Sequence, residues 1–250
     1  MMKTIAMMQP YLFPYLGYFQ LIAAADVFVL GDDLQYMKAG WVNRNRILDK
    51  NEPRMVTFPL KRDRFDLGIN QRRLCDNFDE EAERLIKLIT HCYSKAPCYG
   101  KVMPLLQHLI RSPQRNLALY IEHSIKELCH YLDIRTPIYK ASDLEMAGSI
   151  DKQDRVIKTA KLFGASTCIN SVGGTALYDS GYFAQHGLAL EFLKMDDIAY
   201  PQYRSTFVGN LSIIDVVMFN SAETVRELLP CYSIQSDSVT PLPAREARYA

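Results

Sequence analysis

The side chains able to do chemistry gather in five short stretches. Asp32-Asp33 closes the apolar run of residues 27–30. Adjacent carboxylates at the C-terminal end of a strand can hold a divalent cation or a ribose. Asn43-Arg44-Asn45-Arg46 alternates amides with guanidinium groups. That pattern either grips a phosphate or carboxylate through charge-assisted bonds or makes a solvated loop. Asp151, Asp154 and Arg155 stand together where a helical stretch begins. They read either as a carboxylate pair facing a cleft or as acids favouring the helix dipole. Gly173-Gly174 lies between a strand and a helical stretch, where backbone amides can approach an anion or where glycine serves a tight turn. Asp215 interrupts the apolar residues 213–217 and needs a partner if buried.

The elements that position these groups follow from apolar periodicity. Residues 5–8 read as a buried strand, Pro10 and Pro14 mark a turn, residues 15–25 read as an amphipathic helix and residues 27–30 as a second strand. A strand, a helix and a parallel strand in about thirty residues make one βαβ unit, with its ligand edge at Asp32-Asp33. Residues 55–60 read as another strand, followed by the basic turn Lys61-Arg62-Asp63-Arg64. Residues 79–132 carry helical periodicity, with Leu117, Ile121, Ile125, Leu128 and Leu132 forming a core-facing stripe, and predict a helical subdomain. Beyond it, strands are expected near 138–139, 167–170 and 188–193. Helices are expected from Ser149 or Asp151 to about Phe163, over 177–185, and from Asn210 or Ser212 and Ser221 onward. The tail after Cys231, rich in Ser and Pro, reads as poorly ordered, leaving 1–230 as one α/β domain.

Composition narrows the function. With 250 residues and 48% hydrophobic content the chain can bury a substantial core. A net charge of +1 gives no general attraction to nucleic acid or anionic membrane, and no apolar run approaches the roughly 20 residues of a membrane span. Six cysteines without a CxxC pair read as free thiols in a reducing cytoplasm, and the five histidines fall into no metal-ligand spacing. A small-molecule partner is the expectation.

QPYLFPYLGYFQLI, DDLQYMKAGWVNRN, GSIDKQDRVI, INSVGGTALYDSGYF and FVGNLSIIDVVMFN, in that order, resemble the WbqC-like family from about Ile5 to about Leu229. The family's recurrent polar positions map onto Gln9, Tyr15, Gly17, Tyr18, Asp32, Asp33, Gln35, Asn43, Arg44 and Asn45. In the second half they map onto Asp151, Asp154, Arg155, Asn170, Gly173, Gly174, Tyr178, Ser212, Asp215 and Asn220. The resemblance implies a place in bacterial O-antigen or related surface-polysaccharide synthesis. The N-terminal unit is also similar, more distantly, to the nucleotidyltransferase-like fold of the pantothenate synthetase type, which implies a mostly parallel, Rossmann-like sheet. Its HxGH-like motif falls on Tyr15-Leu16-Gly17-Tyr18, where tyrosines replace both histidines. Tyrosine can donate a hydrogen bond or stack on a base, but supplies no imidazolium for a transferring phosphate.

The expected activity is transfer of an acyl or aminoacyl group, such as glycyl, to an amino-sugar nucleotide, with ATP and magnesium activating the acid. In that scheme Arg44 and Arg155 hold phosphates or the carboxylate, Asp32 or Asp33 holds magnesium or ribose, and Gly173-Gly174 seats a phosphate. Asp154 or Asp215 serves as general base. Cys168, inside an expected strand, reads as structural rather than nucleophilic. The alternatives are a sugar-nucleotide-binding protein without chemistry and a glycosyltransferase using Asp32-Asp33.

Overall fold

The N-terminal strands and helix form in the expected order, but the helix is buried on every side over residues 16–22 rather than amphipathic. In the computed structural model, which describes residues 3–144, 151–204 and 206–236, β1 (Thr4–Met8), α1 (Leu16–Ala24) and β2 (Val27–Leu30) form a parallel βαβ unit. Ile5 stands opposite Val27 and Met8 opposite Leu30. A separate antiparallel hairpin follows, β3 (Arg44–Asp49) and β4 (Glu52–Thr57). The strand expected at 55–60 therefore starts three residues earlier. Lys50 and Asn51 both adopt left-handed φ, 51° and 67°, and close the hairpin in two residues as a primed turn does. The Asn43–Arg46 group is thus mostly strand, not loop.

Three helices match the periodic stretch: α2 (Phe78–Tyr93), α3 (Tyr99–Ile110) and α4 (Leu117–Tyr131). The sheet resumes with β5 (Ile138–Lys140), α5 (Lys152–Leu162), β6 (Thr167–Ser171), α6 (Ser180–Gln185) and β7 (Ala189–Met195), then α7 (Ile213–Phe219), α8 (Ala222–Leu228) and β8 (Tyr232–Ser236). Strand order is β5-β2-β1-β6-β7-β8, and only the β7–β8 pair is antiparallel. This is a Rossmann-like α/β fold.

Alternation along the strands divides the core into two layers. Ala6, Phe28, Leu30 and Ile169 face α1 and the α2–α4 helices, which share one apolar cluster. Ile5, Met7, Val27, Val29 and Cys168 point the other way, onto Val156, Ile157 and Ala160 of α5 and Phe183 of α6. Successive side chains point to opposite faces of a strand, so one short apolar run serves both layers.

Two boundaries differ from the sequence reading. The helix expected from Leu177 begins at Ser180, where Asp179 accepts from the Tyr182 amide, while residues 172–177 form a 3₁₀ turn containing both glycines. Neither Gly173 nor Gly174 has positive φ. Instead, Gly174 is constrained by space, since a Cβ there would lie 3.3 Å from the Asn170 side chain. At the other end, the segment after Cys231 continues as β8, pairing Tyr232 with Met195 and Ser236 with Glu191. Its alternation of Tyr, Ile and backbone pairing outweighs its polar composition. Residues 237–250 and Ser149, one of the two caps expected for α5, lie outside the described residues. Asp151 is the cap, accepting from the Gln153 amide at 2.9 Å.

Candidate ligand-binding cleft

The strand order reverses beside β1: β2 and β5 lie on one side, β6 and β7 on the other. A crevice opens above the carboxyl ends of strands at such a switch point. Here it is a cleft of about 720 Å³, walled by the β1–α1 loop, the start of α1, the ends of β6 and β7, and residues of the β3 strand and the 207–211 segment. That volume lies within the range of small-molecule sites.

The β1–α1 loop is held in place by residues that the sequence marked as ligand-binding. Phe13 has φ 44°, a left-handed conformation costly for a bulky residue. Its carbonyl accepts from Asn45 Nδ2 and Ser212 Oγ, both at 2.7 Å. Tyr18, fully buried, donates its hydroxyl to the Gln9 carbonyl at 2.9 Å. Asn43, also buried, accepts from the Tyr36 hydroxyl and donates to the Phe58 carbonyl. Gln9, Tyr18, Asn43 and Ser212 therefore brace the site from behind.

Tyr15 and Gly17 do reach the cleft. The Tyr15 ring lies over Gly17, where a Cβ would come within 2.5 Å of it, so glycine is required by close approach. Burial raises the Tyr15 phenol, and hydrogen bonding to Ser171 at the end of β6 pulls it back. Tyr11 is pushed up to about 12, chiefly by burial and then by the neighbouring Tyr15 and Tyr178. These phenols are neutral donors near pH 7. Tyr178 is likewise raised by burial, opposed by its bond to Asn170, whose Oδ1 also accepts from the Ser171 amide. Gly173 lines the cleft and Gly174 packs on Asn170 behind it.

Charged groups of both signs face the cavity. Arg46 and Lys194 line it, as do Asp196 and Asp197 just beyond β7, and none makes an ion pair among the described residues. Tyr200 lines it too, and its hydroxyl donates to Asp215 Oδ2 at 2.7 Å. Asp215 is fully buried and accepts as well from Tyr93 (2.8 Å) and Gln202 (2.8 Å). Burial raises its carboxyl, with the three hydrogen bonds opposing. All its visible bonds point inward, so Asp215 fixes Tyr200 and is no general base for a ligand.

Of the remaining expected site residues, Asp32, Asp33, Asp151, Asp154 and Arg155 lie together outside the cleft lining, and Gln35 and Arg44 lie elsewhere. Asp32 is buried and accepts from the Ser142 amide (2.9 Å) and hydroxyl (2.6 Å). Desolvation raises its carboxyl above the usual range; these bonds oppose the shift. Asp33 is ion-paired with Arg155. Asp154 accepts from the Tyr182 hydroxyl at 2.6 Å, and Asp151 is occupied as a cap. Gln35 lies on the surface, donating to the Phe65 carbonyl. Arg44 donates to the Ala39 and Gly40 carbonyls and so holds the preceding loop. Cys168 is buried, its thiol pushed up to about 12 by desolvation, which removes it as a nucleophile.

Sequence reasoning passed over Lys194, Asp196, Asp197 and Tyr200, and gave Tyr11 no role. A signal existed: Asp196-Asp197 ends β7 as Asp32-Asp33 ends β2, and the same rule about strand ends applies to both.

An open, mostly parallel sheet with its crevice at the switch point defines an α/β protein of the Rossmann-like class. The chain belongs to the WbqC-like protein family, whose profile matches residues 9–227. It is similar to the uncharacterised protein Rv1507c of Mycobacterium tuberculosis (strain ATCC 25618 / H37Rv). The two are 28% identical over 233 residues, covering 92% of this chain and 99% of that protein. No solved structure matches the chain. No helix among the described residues is long and apolar enough to cross a membrane.

Proposed function

We propose that the cleft binds an amino-sugar nucleotide and that the protein transfers an acyl or aminoacyl group, such as glycyl, onto its amine during surface-polysaccharide precursor synthesis. The observation that carries this reading is the cleft itself. A cavity at the switch point, with aromatic walls and unpaired charges of both signs, suits a ligand carrying an anionic diphosphate and a cationic amine. Family membership supports the polysaccharide context.

The chemistry consistent with these groups is amide formation through an activated acid. The donor carboxylate attacks a phosphorus of ATP and pyrophosphate leaves, giving an acyl–AMP anhydride. The sugar amine then attacks the acyl carbon, AMP leaves, and the amine's proton passes to a carboxylate. Asp196 and Asp197 take the base and orienting role in place of Asp154 and Asp215, which are held by other side chains. Magnesium fits as a phosphate-held ion. No group of three or more candidate ligands gathers among the described residues, but an octahedral magnesium ion is commonly held by one or two carboxylates, phosphates and water. One of Asp196 and Asp197 would supply such a carboxylate, leaving the other for the base role, and the ion would neutralise phosphate charge.

One observation favours a second reading, a sugar-nucleotide-binding protein without chemistry. Of the tyrosines in the HxGH-like positions, Tyr18 is fully buried in a structural bond and is unable to touch a phosphate. The glycosyltransferase reading loses its basis, because Asp32 and Asp33 are both engaged by protein partners.

The deciding experiment measures pyrophosphate and AMP release from ATP with magnesium and glycine, with and without UDP- and dTDP-linked amino sugars. Release that requires both co-substrates is expected. Silence under every combination rules out ATP-driven glycyl transfer and favours another donor or the binding reading.

A further inference from the structure

Arg46 lines the cleft, whereas Arg72, also stacked on a ring with its Nε buried and unpartnered, and Arg44, the other cation beside Trp41, do not. Arg46 extends from β3 into the cleft, with its guanidinium carbon 5.2 Å from the centre of the Trp41 ring. One hydrogen bond fixes its end, from Nη2 to the Asn210 carbonyl at 3.2 Å, while its Nε is buried without a partner. The backbone is clamped as well, the Ser212 amide donating to the Arg46 carbonyl at 2.8 Å. Asn210 itself sits at φ 55°, a left-handed conformation maintained where it supplies that carbonyl to Arg46.

A guanidinium has five N–H donors in a fixed plane, matched to phosphate oxygens, and it keeps its charge while stacked on an aromatic face. Here most donors are uncommitted, and the charge faces a concave wall with no carboxylate paired to it among the described residues. Two further features converge on the same cavity. Leu16 and Gly17 bring the first turn of α1 to its wall, and that nine-residue helix has neither a side-chain cap nor an acid in its first turn. Lys194 adds a second cation from β7.

We propose that Arg46, held against Trp41, is the phosphate anchor of the cleft and selects a nucleoside diphosphate group over a nucleoside. The proposal rests on the reading of the cleft as a nucleotide site and moves the anion-binding role from Arg44, whose donors hold Ala39 and Gly40, to Arg46. The first-turn amides of α1 and Lys194 share the same diphosphate. Trp41 forms the wall behind the anchor.

Trp41 is the only tryptophan in the chain, so its emission reports on the site directly. Titrations with UDP, uridine and inorganic pyrophosphate are made on the wild type, Arg46→Lys and Arg46→Ala, with calorimetry as a second readout and circular dichroism to verify folding. Wild type should bind UDP at least about tenfold more tightly than uridine, the scale of charge-assisted hydrogen bonds. Arg46→Ala should lose about tenfold or more in UDP affinity and keep uridine binding within about twofold. Arg46→Lys keeps the charge without the fork and should fall between; it decides the matter if the alanine variant does not fold. Equal UDP affinity in wild type and folded Arg46→Ala overturns the anchor while leaving a nucleotide cleft intact. If neither UDP, dTDP nor ADP binds the wild type, the nucleotide reading fails and the anchor fails with it.

Discussion

Two polar regions stand at the carboxyl edge of one sheet, and they differ in how their charges are satisfied. Over β2 and β5, Asp32 is bonded to Ser142, Asp33 to Arg155 and Asp154 to Tyr182, so nearly every charge has a protein partner. Over β1, β6 and β7, Arg46, Lys194, Asp196 and Asp197 line a cavity and make no ion pair among the described residues. Lys194, Asp196 and Asp197 are solvent-exposed and stay unpaired at little cost, so their charges are uncommitted and able to meet a ligand, while those over β2 and β5 are engaged by protein groups. Motif chemistry alone weights the two regions equally. Ion pairing separates them: Arg46 and Arg155 each keep a buried Nε without a partner, but only Arg155 meets a carboxylate among the described residues.

The largest effect that tests this contrast is on the architectural side. Asp215→Ala removes the acceptor shared by Tyr93, Tyr200 and Gln202 and should cost about 3 kcal/mol of stability by urea unfolding, because buried donors lose their partner. A loss below about 1 kcal/mol would mean that water replaces the carboxylate and that Tyr200 is not fixed through it.

The next is a pH effect. Burial raises the folded-state carboxyl of Asp32, so the folded protein holds that proton more tightly than the unfolded chain. The contribution favours folding below the unfolded value of 3.8 and is lost as pH rises through the raised folded value. Asp32→Asn keeps an acceptor for the Ser142 amide and a donor for its hydroxyl. Its stability relative to wild type should therefore improve as pH climbs from about 4 to 7, staying within about 1 kcal/mol. A difference that moves the opposite way would show that the Ser142 bonds outweigh desolvation.

Smaller still is Arg155→Ala. Its pair with Asp33 is partly exposed, with side chains 17% and 32% accessible, and about 0.5–1 kcal/mol is expected after solvent screening. Ligand affinity should not change. Lys194→Ala should do the reverse, leaving the unfolding midpoint unchanged and weakening UDP binding about threefold, an effect that shrinks in high salt. An exchanged pattern of results would reverse the roles of the two regions.

The scaffold was legible in the sequence wherever apolar periodicity was strong. The βαβ start, the α4 stripe and the positions of β5, β6 and β7 along the chain follow from it, while the order of strands in the sheet does not. Positions governed by non-local contacts were not. Nothing in the letters says that Asn45 and Ser212, far apart in the chain, converge on the Phe13 carbonyl, or that Arg46 rather than Arg44 reaches the cavity. Strand alternation does not separate the two, since Arg44 and Arg46 are two residues apart and both lie beside Trp41; Arg44 is instead held back by the Ala39 and Gly40 carbonyls. The 3₁₀ turn at Gly173-Gly174 was missed because glycine pairs suit several backbone conformations. Asp215 was correctly flagged as needing partners, but its partners fix its role, and they come from α2 and the 200–202 segment.

The central claim is that ligand binds over β1, β6 and β7 rather than over β2 and β5. Hydrogen-exchange mass spectrometry, with and without a UDP-linked amino sugar, tests it most directly. The account predicts slowed exchange in residues 10–18 and 193–200, with residues 31–35 and 151–156 unchanged. Protection confined to the second pair of segments, or to neither, would contradict it.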